Sequence, residues 1–262
     1  MDSTYDAVAE EYIKTRNDIP ESFLSGLEAR GIDFDGAKIA DFGAGPGFLS
    51  EQLGEKGGII DAVEPSTDFQ AHAEKVFKEN NRINFNLAYA ENSGLPPKTF
   101  DIVIALRSWD WFDRRQALEE VRRILKPDGY LIIADYRFVK SSGVAKDTIK
   151  MIRKCAKKYN VKSRRHGYGS DEMINAFPFE WMEEWQDFRF DIRDLYKRDR
   201  KVAFTHEEWM HHLGSISALV AFKRKHRKKT LKKVSDHLKD TYKEEVYRIN
   251  HEMNVVILQN KN

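Results

Sequence analysis

Residues 39–50 read IADFGAGPGFLS: an apolar run, an acid at Asp41, then glycines at 43, 45 and 47. An apolar run that breaks into a glycine-rich turn before a new helical pattern is a strand-to-helix junction. At such a junction a ligand can lie against main-chain N–H groups with no Cβ in the way. Dinucleotide, nucleotide and adenosyl-cofactor sites share that feature, and the spacing separates them.

The dinucleotide fingerprint G-x-G-x-x-G needs its third glycine three residues after the second. Here Gly47 follows Gly45 by two, and Phe48 stands where the third glycine should be. The phosphate-cradling G-x-x-x-x-G-K-[ST] pattern is absent. Asp41 also speaks against a phosphate, because a carboxylate at the turn repels an anion and suits an ammonium or sulfonium. A second acid, Glu64, ends the next apolar run in DAVEPS, about 20 residues on, where a carboxylate can accept ribose hydroxyls. The competing reading of Glu64 is helix-start punctuation before Pro65 and Ser66.

Outward from this junction, short β-branched runs alternate with helical patterns, the signature of a parallel sheet wrapped by helices. Strands are predicted at Lys38–Phe42, Ile59–Glu64, Ile83–Tyr89, Phe100–Leu106 and Tyr130–Tyr136, with helices near Phe48–Leu53, Thr67–Asn80 and Arg114–Leu125. The last helix is ended by the turn KPDG. An amphipathic helix carrying Tyr5, Val8, Ala9, Tyr12 and Ile13 opens the chain, and another is expected from Pro20 to Leu27.

Beyond Tyr136 the rhythm changes. Helices are predicted near 144–159, over THEEWMHHLGSISALVAF and over 223–249, with strands in DFRFDIRDL and in the closing NVVILQN. The stretch between, with His166, Tyr168, Trp181 and Trp185, has no clean period and is expected to fold over the sheet as a substrate lid.

The five stretches together resemble the Rossmann-like class I S-adenosylmethionine-dependent methyltransferases. The resemblance covers residues 37–137, with IADFGAGPGFLSEQL similar to the first motif, DAVEPS to the second, NLAYAENSGLP to the third and FDIVIAL to the fourth. LEEVRRILKPDGYLIIADY resembles the closing helix and strand. It implies an α/β fold: a Rossmann-like seven-stranded, mostly parallel sheet with a C-terminal antiparallel strand and a helical auxiliary insertion. Residues 1–140 would form the cofactor-binding core with its lid helix. Residues 141–262 would supply the substrate-side region and complete the sheet.

Carried over residue by residue, the resemblance implies S-adenosylmethionine as cofactor. Asp41 and the loop Gly43, Ala44, Gly45 and Gly47 would hold its methionine portion, Glu64 its ribose, and Pro65 and Ser66 the edge of its adenine. Glu91, with Ala90 beside it, would face the adenine amino group, while Leu106 and Arg107 would line the pocket near the sulfonium. YDAVAEEYIKTR is similar to the lid helix of small-molecule members, placing Tyr12 and Arg16 over the cofactor; Tyr12 reads equally as a core tyrosine. Ser108, Trp109, Trp111, Tyr136 and His166 would face the acceptor, although Trp109 and Trp111 also read as packing residues.

The overall pattern, including the lid-like N-terminus and FTHEEWMHHLGSISAL, looks like the trans-aconitate and ubiquinone/menaquinone methyltransferase group, which implies O or N of a small molecule as acceptor. An RNA acceptor is the alternative, because charge is unevenly spread. Residues 1–140 hold 17 Lys and Arg against 25 Asp and Glu, whereas residues 141–262 hold 27 against 17. Eight of the basic residues fall between 223 and 233.

The sequence excludes several other classes. It has no apolar run of membrane-spanning length, and its acidic opening is unlike a secretory signal, so a cytoplasmic protein is expected. The single cysteine, Cys155, cannot form an intramolecular disulfide. Adjacent His211 and His212 point apart on a helix, so no metal is expected. A monomer or homodimer is anticipated.

Overall fold

The computed structural model describes residues 12–13, 18–77, 80–141, 143–161 and 172–261. Nine strands are labelled in chain order: β1 Lys38–Phe42, β2 Ile59–Val63, β3 Ile83–Asn86, β4 Phe100–Leu106, β5 Leu125–Phe138, β6 Met173–Ile174, β7 Phe177–Pro178, β8 Phe190–Thr205 and β9 Val246–Asn260. The helices are α1 Ser22–Glu28, α2 Phe48–Glu55, α3 Thr67–Phe77, α4 Arg114–Ile124, α5 Gly143–Lys158, α6 Phe179–Asp187, α7 His206–Gly214, α8 Ser217–Val220 and α9 Arg224–Thr241. A 3-10 turn spans Trp109–Trp111.

Seven strands form one mostly parallel sheet in the order β3-β2-β1-β4-β5-β9-β8, with the antiparallel C-terminal strand β9 between β5 and the edge strand β8. β1 pairs with β2 on one side and β4 on the other, both parallel, so the strand order reverses between β1 and β4. In open α/β sheets the crevice beyond the strand ends at such a reversal is where ligands bind.

Alternation along the central strands feeds two cores. Ile39, Ile102, Ile104, Ile132 and Ala134 face one side, with Phe23, Leu27, Leu53 and Phe77 from α1, α2 and α3. Ala40, Phe42, Val103, Ala105, Leu131 and Ile133 face the other, with Leu118 and Val121 of α4 and Trp181 and Trp185 of α6. Strands buried on both faces need apolar residues at successive positions, which is why β4 reads as an apolar run from Ile102 to Leu106 and why Asp41 stands out as a buried acid in β1.

Residue contacts divide the chain into two units. The larger comprises Ile19–Tyr136, Arg165–Arg198 and Met253–Asn262; the smaller comprises Met1–Asp18, Arg137–Arg164 and Asp199–Glu252. Within the smaller unit, Ile149, Ile152 and Cys155 of α5 pack with Trp209 and Leu213 of α7 and Val234 and Leu238 of α9.

Several boundaries differ from the sequence reading. β3 stops at Asn86 rather than Tyr89, and Tyr89 makes an isolated bridge to Asn92. The KPDG turn lies inside β5: Phe100 pairs with Leu125 but Ile102 with Tyr130, so a bulge with Asp128 at φ 60° absorbs it. β8 runs on to Thr205, because a charged, mostly exposed stretch forms the edge of the sheet, where charge guards against further pairing. The basic helix α9 ends at Thr241, and β9 begins at Val246 instead of continuing helix to 249. The predicted helix over THEEWMHHLGSISALVAF divides into α7 and α8.

No helix among the described residues is long and apolar enough to cross a membrane. Among the same residues, no cluster of three or more His, Cys, Asp or Glu could hold a metal ion.

Candidate active site

Parallel register sets the two acids side by side. Phe42 pairs with Val63, so the chain leaves β1 through Gly43 where it leaves β2 through Glu64. Asp41 is 1% exposed and takes a 2.7 Å hydrogen bond from Ser50 Oγ on α2. Burial pushes its carboxyl from 3.8 up to about 7, with the Ser50 bond opposing. Ser50 has no motif signal; what reveals it is its place on the first turns of α2, facing back to the strand.

Glu64 is held from two directions: Gly45 N–H donates to Oε2 at 3.0 Å and Ser66 N–H to Oε1 at 2.9 Å. Ser66 is fully buried, and its Oγ also accepts from Phe69 N–H at 3.3 Å, so it caps α3. Pro65 beside it is half-buried.

The loop differs from the sequence expectation in what its amides do. Gly43 and Ala44 N–H both donate to Val63 O, at 2.8 and 3.2 Å, Gly45 N–H to Glu64, and Gly47 N–H to Ala44 O at 3.1 Å. The loop is therefore tied to β2 through its own amides.

The glycines answer to packing as well as to backbone conformation. A Cβ on Gly43, at φ 70°, would stand 2.5 Å from Ser108 Cβ, and one on Gly47, at φ 93°, 2.7 Å from the Phe85 ring. Ser108 is buried and donates from Oγ to Phe42 O at 2.7 Å, stitching the end of β4 to the end of β1.

After β4 the backbone turns sharply. Arg107 has φ 62°, a left-handed conformation costing about 1–3 kcal/mol in a non-glycine residue, and such strain clusters at functional sites. Its N–H donates to Ala134 O at 2.8 Å, and its guanidinium carbon lies 5.6 Å from the Tyr136 ring centroid. Arg107, Asp110, Asp135, Phe177 and Trp181 wall a cleft of about 20 Å³, together with Ser108 and Trp109. Asp135, Phe177 and the neighbouring Ala176 carry no sequence signal; the β6–β7 hairpin brings the latter two to the rim, with Asn175 and Ala176 both at positive φ.

The remaining expected residues fall as follows. Leu106 is half-buried against the core containing Tyr136, which is itself 3% exposed. Ala90 is buried, and Glu91 Oε1 accepts from Asp113 N–H at 2.7 Å, beside the start of α4. Trp109 is 2% exposed, and its ring nitrogen has no hydrogen-bond partner among the described residues. Trp111 is half-buried against the same core. Trp181 and Trp185, expected in a lid, are core residues of α6 at 3% and 0% exposure, with Trp181 also reaching the cleft. Tyr12 is helical and half-buried in the smaller unit. Arg16, His166 and Tyr168 lie outside the described residues.

Residues 40–133 match the family model of a methyltransferase domain. An uncharacterized methyltransferase of Mycobacterium tuberculosis is 31% identical over 94 residues, which are 36% of this chain and 37% of the relative. The mitochondrial arginine-hydroxylase NDUFAF5 of Rattus norvegicus is 34% identical over 96 residues, covering 35% of this chain and 26% of that protein. The chain thus spans about a third of the length of the curated relatives it matches. Among solved structures, phosphoethanolamine N-methyltransferase 2 of Haemonchus contortus, in complex with phosphomonomethylethanolamine and S-adenosylhomocysteine, superposes with a TM-score of 0.59 at 16% identity. That match covers 99% of this chain and 59% of the other. The likeness to solved structures shows the fold, a Rossmann-like sheet, and within it residues 40–133 are similar to a methyltransferase domain.

Proposed function

We propose that the chain binds S-adenosylmethionine at the β1/β4 reversal and transfers its methyl group to O or N of a small-molecule acceptor by in-line displacement. The observation that carries this reading is the use of the loop's amides. A dinucleotide loop offers its N–H groups to a pyrophosphate, but here those of Gly43, Ala44, Gly45 and Gly47 are all taken by protein acceptors. What the site offers instead is carboxylate. Asp41 is a buried acid whose ionisation a neighbouring cation would favour, and Glu64 is a carboxylate fixed by the Gly45 and Ser66 amides beside it. This donor set fits an ammonium and a diol and opposes a phosphate.

Bound there, the cofactor supplies a methyl carbon on a sulfonium whose departure leaves a neutral thioether. The protein's part is alignment, which is worth about 7–11 kcal/mol in well-oriented intramolecular reactions. Arg107 and Ser108 fix the rim of β4, and the buried ring of Trp109 limits where an acceptor can sit. A dedicated base is needed only for an acceptor that arrives protonated. The family likeness alone does not carry the reaction, since the same domain matches a protein named as a hydroxylase.

The test is transfer of labelled methyl from S-adenosylmethionine to a panel of small hydroxy acids, carboxylates and amines. Transfer to one of them supports the reading; cofactor binding with no transfer to any would reassign the site to a non-transferase role. Trp109→Phe probes the acceptor side. It removes a buried N–H that lacks a hydrogen-bond partner among the described residues, together with part of a core ring that is 2% exposed, so it should cost about 1–3 kcal/mol of stability with the fold retained. Turnover should fall at least about tenfold, the worth of one hydrogen bond to the acceptor, with cofactor affinity unchanged. Unaltered turnover would make Trp109 a packing residue only.

A further inference from the structure

Along α5 in the smaller unit, Lys146, Lys150, Arg153, Lys154 and Lys157 recur at three- and four-residue spacing, so they form one face of the helix. All five are exposed, and with Lys140 from the preceding turn they line a shallow open trough of about 810 Å³. The apolar contribution to its lining is Ile149, itself 7% exposed. Among the described residues no carboxylate forms an ion pair with any of the five helix cations. The one acid on that stretch of α5, Asp147, accepts instead from Tyr242 OH at 2.8 Å.

Five like charges with no ion-pair partner among the described residues repel one another, a cost that a polyanion would offset. On α9, which is also rich in lysine, Lys232 is paired with Asp236 at 3.2 Å. The row on α5 extends about 16 Å from Lys146 to Lys157 at 1.5 Å per residue.

We propose that this trough binds the phosphate backbone of a single nucleic-acid strand. A linear polyanion can follow a concave row of cations to its floor. An anionic membrane surface would meet the same cations, but the lining offers no exposed apolar side chain to insert into lipid. A duplex read through its major groove would need a protruding helix. No aromatic side chain lines the trough for bases to stack on, so binding is electrostatic and indifferent to sequence. The inference does not depend on the cofactor site.

The experiment is fluorescence anisotropy of the full chain with labelled 16-nucleotide oligo(U) RNA and oligo(dT) DNA across a salt series. Five phosphate contacts on a single strand give a log–log salt slope near −3.5, so affinity should fall about 100-fold between 50 and 200 mM salt. RNA and DNA should bind alike. With Lys150→Gln, Arg153→Gln, Lys154→Gln and Lys157→Gln combined, that salt response should shrink to about 3-fold. Lys228→Gln, Lys229→Gln and Lys233→Gln on α9 should leave most of it. Because all these side chains are exposed, circular dichroism should show both variants folded. Absent or salt-independent binding of both oligonucleotides, an unchanged slope in the α5 variant, or binding to phosphatidylserine vesicles without binding to either strand would each overturn the proposal.

Discussion

Asp41→Asn should weaken S-adenosylmethionine binding at pH 8 by about 10- to 100-fold, the worth of a charge-assisted hydrogen bond, while making the ligand-free protein more stable. The two effects share a cause. In the native state burial raises the carboxyl to about 7, against 3.8 as its ordinary value. Between those limits the folded protein therefore holds a proton that the unfolded chain has lost. Stability then falls as pH rises from about 4 and levels off above 7, by a total of about 4 kcal/mol. Asparagine keeps the acceptor for Ser50 Oγ and carries no titrating charge, so its stability gain over wild type should grow over that window. Cofactor affinity should do the reverse. In wild type it should fall about tenfold per unit below pH 7, as Asp41 takes up its proton, whereas the asparagine variant should show a flat profile. Thermal melts and calorimetric titrations from pH 5 to 8.5 measure both. Equal pH profiles for the two proteins would mean that Asp41 does not meet the ligand's cation.

Gly43→Ala should cost about 2–4 kcal/mol of stability. Part is the left-handed backbone, about 1–2 kcal/mol for an L residue at φ 70°. The rest is overpacking against Ser108, whose Cβ would lie 2.5 Å from the new methyl and whose hydroxyl holds Phe42 O. Relief by moving Ser108 would break the stitch between β1 and β4, so the variant should lose cofactor affinity as well as stability. The double change Gly43→Ala with Ser108→Gly removes the clash but not the backbone cost, and should recover part of the loss in denaturant melts. No recovery would place the strain elsewhere in the loop.

Much of this architecture was legible in the sequence because the central strands are buried on both faces and had to be written mainly in successive apolar residues, interrupted by Asp41 in β1 and Asp101 in β4. β1 and β4 came out to the residue for that reason. The first part of β8 was readable from the alternation in DFRFDIRDL, but its run to Thr205 was not: the exposed charges there are what an edge strand needs, and they erase that alternation. The start of β9 was hidden in a similar way behind the lysine pattern of α9.

At the site, Asp41 and Glu64 stood out as acids at strand ends. The reason for Gly43 and Gly47 did not, because it lies in contacts with Ser108, Phe77 and Phe85, between 30 and 65 residues away in the chain. The same holds for Glu64. Its position was readable, but its hold on the Gly45 amide is a tertiary fact that no motif encodes.

The central claim is that the junction at residues 39–50 holds an adenosyl cofactor through its two carboxylates. Calorimetric titration of the wild-type protein and of Glu64→Ala with S-adenosylmethionine, S-adenosylhomocysteine and nicotinamide dinucleotide tests it most directly. The account predicts that the two adenosyl ligands bind wild type at micromolar levels, that the dinucleotide does not bind, and that Glu64→Ala loses about tenfold or more in affinity. Dinucleotide binding, or adenosyl binding that Glu64→Ala leaves unchanged, would contradict it.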